Sequence, residues 1–124
     1  MDIFIVDDNE KFRVNLKLYL EGSLHHKVVG EASNGKEFID SNSFSYDIIL
    51  MDIEMPEMNG IEAAKSETRR VNNQNIIAIS QHNEMINLKG LIEAGFKGFV
   101  SKVNLYDQLG DAIREVSNGG YYFP

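Results

Sequence analysis

The chain contains no cysteine. A disulfide scaffold, a thiolate zinc site, an iron–sulfur cluster and a cysteine nucleophile are excluded together. Folding without disulfides suits a reducing compartment, so a cytoplasmic setting is the expectation. Apolar residues never run beyond four positions, as in Ile3–Val6, Ile48–Met51 and Ile76–Ile79. A membrane-spanning helix needs about 20, so no membrane role is expected. The opening Met1-Asp2-Ile3-Phe4 places an acid where a secretory signal would carry basic charge. Basic residues are few: 12 Lys and Arg stand against 19 Asp and Glu, a formal charge of −7. Such a surface repels nucleic-acid phosphates and suits cations and basic partners. No G-x-x-x-x-G-K-[ST] is present, which excludes a P-loop nucleotide site. His25, His26 and His82 lack metal-ligand spacing.

What remains is an ordinary globular composition. The 124 residues are 43% hydrophobic and 25% charged, which argues against wholesale disorder. That length is one domain, and it buries about two thirds of its unfolded surface. Short apolar runs alternate with helical periodicity. Ile3–Val6, Val28–Ala32, Ile48–Met51, Ile76–Ile79 and Gly98–Ser101 read as five strands. A helix is expected from Glu10 to Glu21, with Phe12, Leu16, Tyr19 and Leu20 on one face and Gly22 as its stop. Asn34 with Glu37, and Asn59 with Glu62, are spaced as caps of two further helices, the second running to about Val71. A fourth helix is expected from Glu84 to Ala94, with Met85, Leu88 and Ile92 inward and Gly90 inside it. Asn104 and Asp107 can cap a last helix on the face Leu105, Leu109, Ala112, Ile113 and Val116. Strand–helix alternation implies a parallel sheet covered on both faces. The expected fold is α/β: a doubly wound, five-stranded, flavodoxin-like sheet of order 2-1-3-4-5.

The polar residues of interest all follow strands. Asp7 and Asp8 follow the first, Asp52 the third, Ser80 the fourth and Lys102 the fifth. In an open α/β sheet, ligands bind at that carboxyl edge, at the switch point between the first and third strands. Carboxylates gathered there repel: a pair about 4 Å apart costs roughly 4 kcal/mol at an effective dielectric of 20. A proton or a hard cation relieves this, and Mg²⁺ is commonly held by a few carboxylates, waters and phosphate oxygens. Lys102 adds an ammonium and Ser80 a hydroxyl, so the group suits the anionic oxygens of a phosphoryl group. Asp52 is then either a metal ligand only or a nucleophile. Asp52-Ile-Glu-Met-Pro-Glu57 begins like an EF-hand loop, but Glu57 stands where that loop needs glycine. A flavin site is disfavoured because the first loop, Asp7-Asp-Asn-Glu-Lys11, is acidic.

Five segments carry a family resemblance: Ile3-Phe-Ile-Val-Asp-Asp8, Val28-Val-Gly-Glu-Ala-Ser-Asn-Gly35, Asp47-Ile-Ile-Leu-Met-Asp-Ile-Glu-Met-Pro-Glu-Met-Asn-Gly60, Ile77-Ala-Ile-Ser80 and Gly95-Phe-Lys-Gly-Phe-Val-Ser-Lys102. Together they resemble the receiver domain of two-component response regulators over essentially the whole chain. The resemblance implies that Asp52 accepts a phosphoryl group from a sensor histidine kinase. It implies a Mg²⁺ site formed by Asp7, Asp8, Asp52 and the backbone carbonyl of Glu54. Lys102 matches the lysine that pairs with phosphoryl oxygens, Ser80 the switch hydroxyl, and Phe99 the switch aromatic expected to turn inward. Glu54 and His82 match positions that tune dephosphorylation, and Gln81 is larger than the residue often found after the switch hydroxyl. Such a domain is not a turnover enzyme, although it promotes its own phosphorylation and dephosphorylation. A phosphorylation-dependent homodimer is compatible with the resemblance, and Lys11 and Asn15 lie on a helix face suited to the kinase.

Gly119-Gly-Tyr-Tyr-Phe-Pro124 resembles the closing segment of NarL/LuxR-like receivers. Residues 1–118 are therefore expected to form the receiver, and 119–124 to begin a linker to an output domain absent from this chain. DNA would be contacted only through that domain. Two other readings compete. A pseudo-receiver used only for docking should lack the acidic pair, Asp52 or Lys102, and all are present. A phosphatase of the haloacid-dehalogenase kind should carry Asp-x-Asp after its first strand, where this chain has adjacent Asp7 and Asp8.

Overall fold

The computed structural model describes residues 1–40, 45–54, 59–70, 74–81 and 87–123. Its elements are β1 (Asp2–Val6), α1 (Glu10–Gly22), β2 (Lys27–Ala32), α2 (Gly35–Asp40), β3 (Ile48–Asp52), α3 (Gly60–Arg70), β4 (Ile76–Ser80), α4 (Leu88–Ala94), β5 (Phe96–Ser101) and α5 (Leu105–Ser117). A 3₁₀ turn, Lys102–Asn104, joins β5 to α5. The strands form one parallel sheet in the order β2-β1-β3-β4-β5. The expected topology is the one observed.

Alternation along the strands divides the apolar residues into two layers. Ile3, Ile5, Ile48, Leu50, Ile77, Ile79 and Val100 pack against Leu16 and Leu20 of α1 and Leu105, Leu109 and Ile113 of α5. Phe4, Val6, Ile49, Met51, Ala78, Phe96 and Phe99 pack on the opposite face with Phe38, Ala63, Ala64 and Leu91. All five β3 residues are buried, which is why that run is uniformly apolar until Asp52. Burying each large side chain stabilises the fold by about 1.5–3 kcal/mol. Glu67 is buried on α3, where the Tyr46 hydroxyl donates to its carboxylate.

Several boundaries differ from those the sequence suggests. Gly22 is the last residue of α1 rather than its stop, and Ser23 closes the helix through its N–H to the Tyr19 carbonyl. In α4 the inward residues are Leu91 and Ala94, with Leu88 partly buried, whereas Ile92 is half exposed. The helix begins after Asn87, whose side chain accepts from Gly90 N–H, so Gly90 lies in the first turn. Glu84 and Met85, with Val71 at the expected end of α3, lie outside the described residues. Asn104 makes no side-chain cap for α5; Ser101 instead accepts from Val103 N–H and opens the 3₁₀ turn. The other two caps form as expected: Glu37 N–H donates to Asn34 Oδ1 and Glu62 N–H to Asn59 Oδ1. Glu37 returns its carboxylate to Ser33 rather than to Asn34.

Candidate functional site

Parallel strands deliver Asp7, Asp52, Ser80 and Lys102 to one edge, because each stands at or just after the end of its strand. Asp7 N–H still belongs to the sheet edge, donating to the Ala32 carbonyl at 3.0 Å. The loop then turns on Asn9, whose N–H donates to Asp7 Oδ1 at 2.8 Å and whose side chain caps α1 by accepting from Phe12 N–H at 3.0 Å. Arg13 ties the loop to the fold. Its Nη1 donates to the Asp7 carbonyl at 2.5 Å, and its Nε pairs with Glu31 on β2 at 3.2 Å.

Asp7, Asp8 and Asp52 each place a carboxylate oxygen within 4.8 Å of the others. Asp7 is 1% exposed and Asp52 6%, while Asp8 is open to solvent. Lys102 Nζ, on a side chain 13% exposed, lies 2.8 Å from Asp7 Oδ2 and 3.7 Å from Asp52 Oδ2. The same nitrogen stands over the Phe12 ring, 4.2 Å from its centroid. Glu54 N–H donates to Asp52 Oδ1 at 3.0 Å. Asp8, Asn9, Asp52, Glu54, Gln81 and Lys102 line an open cleft of about 180 Å³. A water needs about 10–15 Å³ of such space, so the cleft has room for a small anion and several waters.

Burial pushes the Asp52 carboxyl up from its ordinary 3.8 to about 6. The Glu54 N–H opposes this, the Asp7 charge adds to it, the Lys102 ammonium opposes it, and Asp8 adds to it. Three carboxylates meet one lysine in this cluster. Asp7 Oδ2 is buried, and among the described residues no well-aligned hydrogen bond reaches it; the Lys102 contact at 2.8 Å is an ion pair. A buried acceptor oxygen without an aligned donor, among oxygen-only ligands facing a wet cleft, suits a hard cation. The cluster could bind a metal.

The other expected residues are placed less directly. Ser80 ends β4 and is buried; the cleft wall beside it is Gln81. Phe99 is 4% exposed and already packs in the second apolar layer, so its burial requires no inward turn. His82 and the Met55-Pro56 motif lie outside the described residues. Sequence reading missed Asn9 and Arg13 as supports of the acidic loop, and treated Phe12 only as helix core. The Asn-x-x-Phe spacing could have marked the cap. Nothing local announces Arg13 or the Phe12–Lys102 contact, which depend on tertiary packing.

The fold and the cleft define a doubly wound α/β domain with an acidic crevice that could bind a metal and a lysine at its switch point. The chain belongs to the response regulator receiver domain family, whose description matches residues 3–114. It is 35% identical over 118 residues to the transcriptional regulatory protein LiaR of Bacillus subtilis, covering 94% of this chain and 56% of that protein. It is 32% identical over 123 residues to the response regulator UvrY of Escherichia coli K12, covering 98% and 56%. Among solved structures, a LuxR-family two-component response regulator from Aurantimonas superposes with a TM-score of 0.90 at 26% identity, covering 98% of this chain and 87% of that one. The response regulator domain of Thermotoga maritima CheB gives 0.85 at 28%, covering 95% and 96%. The Aurantimonas protein is of the LuxR family, the kind that residues 119–124 resemble. The chain spans just over half the length of these curated relatives, 56%. Among the described residues no helix is long and apolar enough to cross a membrane.

Proposed function

We propose that this receiver domain is a phosphorylation switch: Asp52 accepts a phosphoryl group from a phosphohistidine of a sensor kinase, with Mg²⁺ in the acidic crevice. The observation that carries the reading is the convergence of Asp7, Asp8, Asp52 and Lys102 on one cleft. An Asp52 carboxylate oxygen forms the new bond to phosphorus as the phosphorus–nitrogen bond breaks, and the imidazole leaves as its neutral form after taking a proton from solvent. Asp7, Asp8, Asp52 and the Glu54 carbonyl would hold the cation, which supplies charge neutralisation for the carboxylates and phosphoryl oxygens. Lys102 supplies an ammonium to those oxygens. The Glu54 N–H fixes one Asp52 oxygen and leaves the other for the transfer.

A phosphoryl group adds nearly two negative charges and strong acceptor oxygens. Ser80 lies at the same sheet edge and would donate to them. Because Phe99 is already buried, phosphorylation would stabilise a packed arrangement rather than create it, as expected of a population shift. Residues 1–118 would carry the phosphoacceptor function, with 119–124 leading toward a DNA-binding output domain. The domain would act in the cytoplasm, with the kinase as its partner and homodimerisation as a mode of output.

The test is intact mass after incubation with acetyl phosphate and Mg²⁺. Wild type should gain one phosphoryl group, and neither Asp52→Asn nor EDTA-treated wild type should. Absence of any gain in folded wild type, with the cognate kinase as donor as well, would overturn the reading. Glu54 lines the cleft beside Asp52. A carboxylate there would lie near a phosphorylated Asp52 and could orient water, so Glu54→Ala should slow acylphosphate decay about two- to fivefold. Unchanged loss of the phosphoryl mass with time would remove Glu54 from that role.

A further inference from the structure

Lys102 has a neighbour that the phosphoacceptor reading does not use. Its Nζ is bounded by Asp7 Oδ2 at 2.8 Å, Asp52 Oδ2 at 3.7 Å and the Phe12 ring face at 4.2 Å. The Lys102 side chain is only 13% exposed, so the aromatic face can replace part of the solvation it loses. The ring itself is held. Phe12 N–H is bonded to Asn9 in the cap of α1, and the side chain leans on the first apolar layer. Asp7, the closest charge partner of Lys102, is also an expected cation ligand. A cation drawn into the cluster competes with Lys102 for that carboxylate. The Phe12 face is then the attraction that neither titrates nor binds metal, and it keeps the four-carbon stem from swinging into solvent.

We propose that Phe12 is a positioning residue for Lys102: its ring seats the ammonium at the cleft, ready for phosphoryl oxygens on Asp52. This rests on the reading of Asp52 as phosphoacceptor and deepens it. A leucine stays apolar but is smaller and lacks the negative ring face, so ring electronics rather than truncation separate a seat from plain packing. Phe12 is replaced by 4-fluoro-, 3,5-difluoro- and 3,4,5-trifluorophenylalanine, which keep the ring's shape while withdrawing charge from its face. The probe is beryllofluoride with Mg²⁺, a phosphoryl stand-in. Its affinity should fall stepwise with fluorination, to about three- to thirtyfold weaker for the trifluoro ring. Phe12→Leu should be at least as weak, and Phe12→Tyr should match wild type. A second readout needs no phosphoryl chemistry: in metal-free wild type the Lys102 Cε protons should show an upfield ring-current shift that Phe12→Leu abolishes. A flat fluorine series in protein that takes up beryllofluoride overturns the seat and leaves the role of Asp52 intact. Absence of the ring-current shift also overturns it. Wild type that takes up no beryllofluoride, although the shift is present, overturns the phosphoacceptor reading and the delivery step that depends on it.

Discussion

Replacing Gly60 with alanine is expected to destabilise the domain by roughly 3 kcal/mol or more, at the upper end of overpacking effects. Helix propensity alone argues the other way, since Gly60 opens α3 and alanine in a helix is favoured over glycine by about 1 kcal/mol. Sterics win. A Cβ at Gly60 would lie 2.3 Å from the Asp52 carbonyl oxygen and 2.6 Å from Ile53 Cα. Both are backbone atoms, so no side chain can rotate away. Relief requires moving α3 off the end of β3, where Gly60 N–H meets the Ile53 carbonyl at 3.2 Å. Such movement shifts the backbone that carries Asp52. Gly22 is the internal control: a Cβ there meets nothing within 4 Å, so Gly22→Ala should be neutral or slightly stabilising. Urea unfolding of both variants measures the contrast. Equal stabilities would show that the α3–β3 approach tolerates a methyl group.

The second large effect is a gain. Asp52→Asn should stabilise the metal-free domain at pH 7.5 by roughly 1–3 kcal/mol, allowing for partial solvent screening. The sign follows from linkage. The Asp52 carboxyl titrates near 6 in the fold against 3.8 ordinarily. Between those values the folded state holds the extra proton, so stability falls as pH rises from about 4 through 6. Asparagine carries no such charge, and its advantage should shrink toward pH 4. Adding Mg²⁺ should narrow the difference, because only the wild type retains the full ligand set and gains binding free energy. Urea titrations at two pH values, with EDTA and with Mg²⁺, read all of this. An Asp52→Asn protein no more stable than wild type at pH 7.5 in EDTA would mean that the Glu54 N–H and the Lys102 ammonium already offset the burial of the charge.

Legibility followed the range of the interactions. The strands could be read because burial on both faces demands unbroken apolar runs, and β3 and β4 are buried throughout. Their order then brought Asp7, Asp8, Asp52 and Lys102 together with no contact needing to be guessed. Local caps at Asn34 and Asn59 were readable for the same reason: donor and acceptor lie three residues apart. Ile92 misled because both Ile92 and Leu91 continue a helical spacing from Leu88, and only burial in the second layer selects Leu91. Arg13, reaching from α1 to Glu31 on β2 and to the Asp7 carbonyl, and Phe12 beneath the ammonium of Lys102, just after β5, are contacts set by tertiary packing. No spacing encodes them.

Residues after α5 give the sheet something else. Gly119 turns the chain at a φ of 88°, and Tyr122 then runs parallel to β5. Its N–H donates to the Lys97 carbonyl at 2.9 Å and its carbonyl accepts from Phe99 N–H at 2.8 Å. Gly98 admits it: a Cβ there would lie 3.2 Å from the Tyr122 carbonyl oxygen. β5 is an outermost strand, and an open outermost strand is a template on which another molecule's backbone can pair. Tyr122 occupies those hydrogen-bonding groups from within. A fragment cut at Ser117 would leave them bare and invite edge-to-edge self-association, so the few residues past the last helix act as a guard against aggregation.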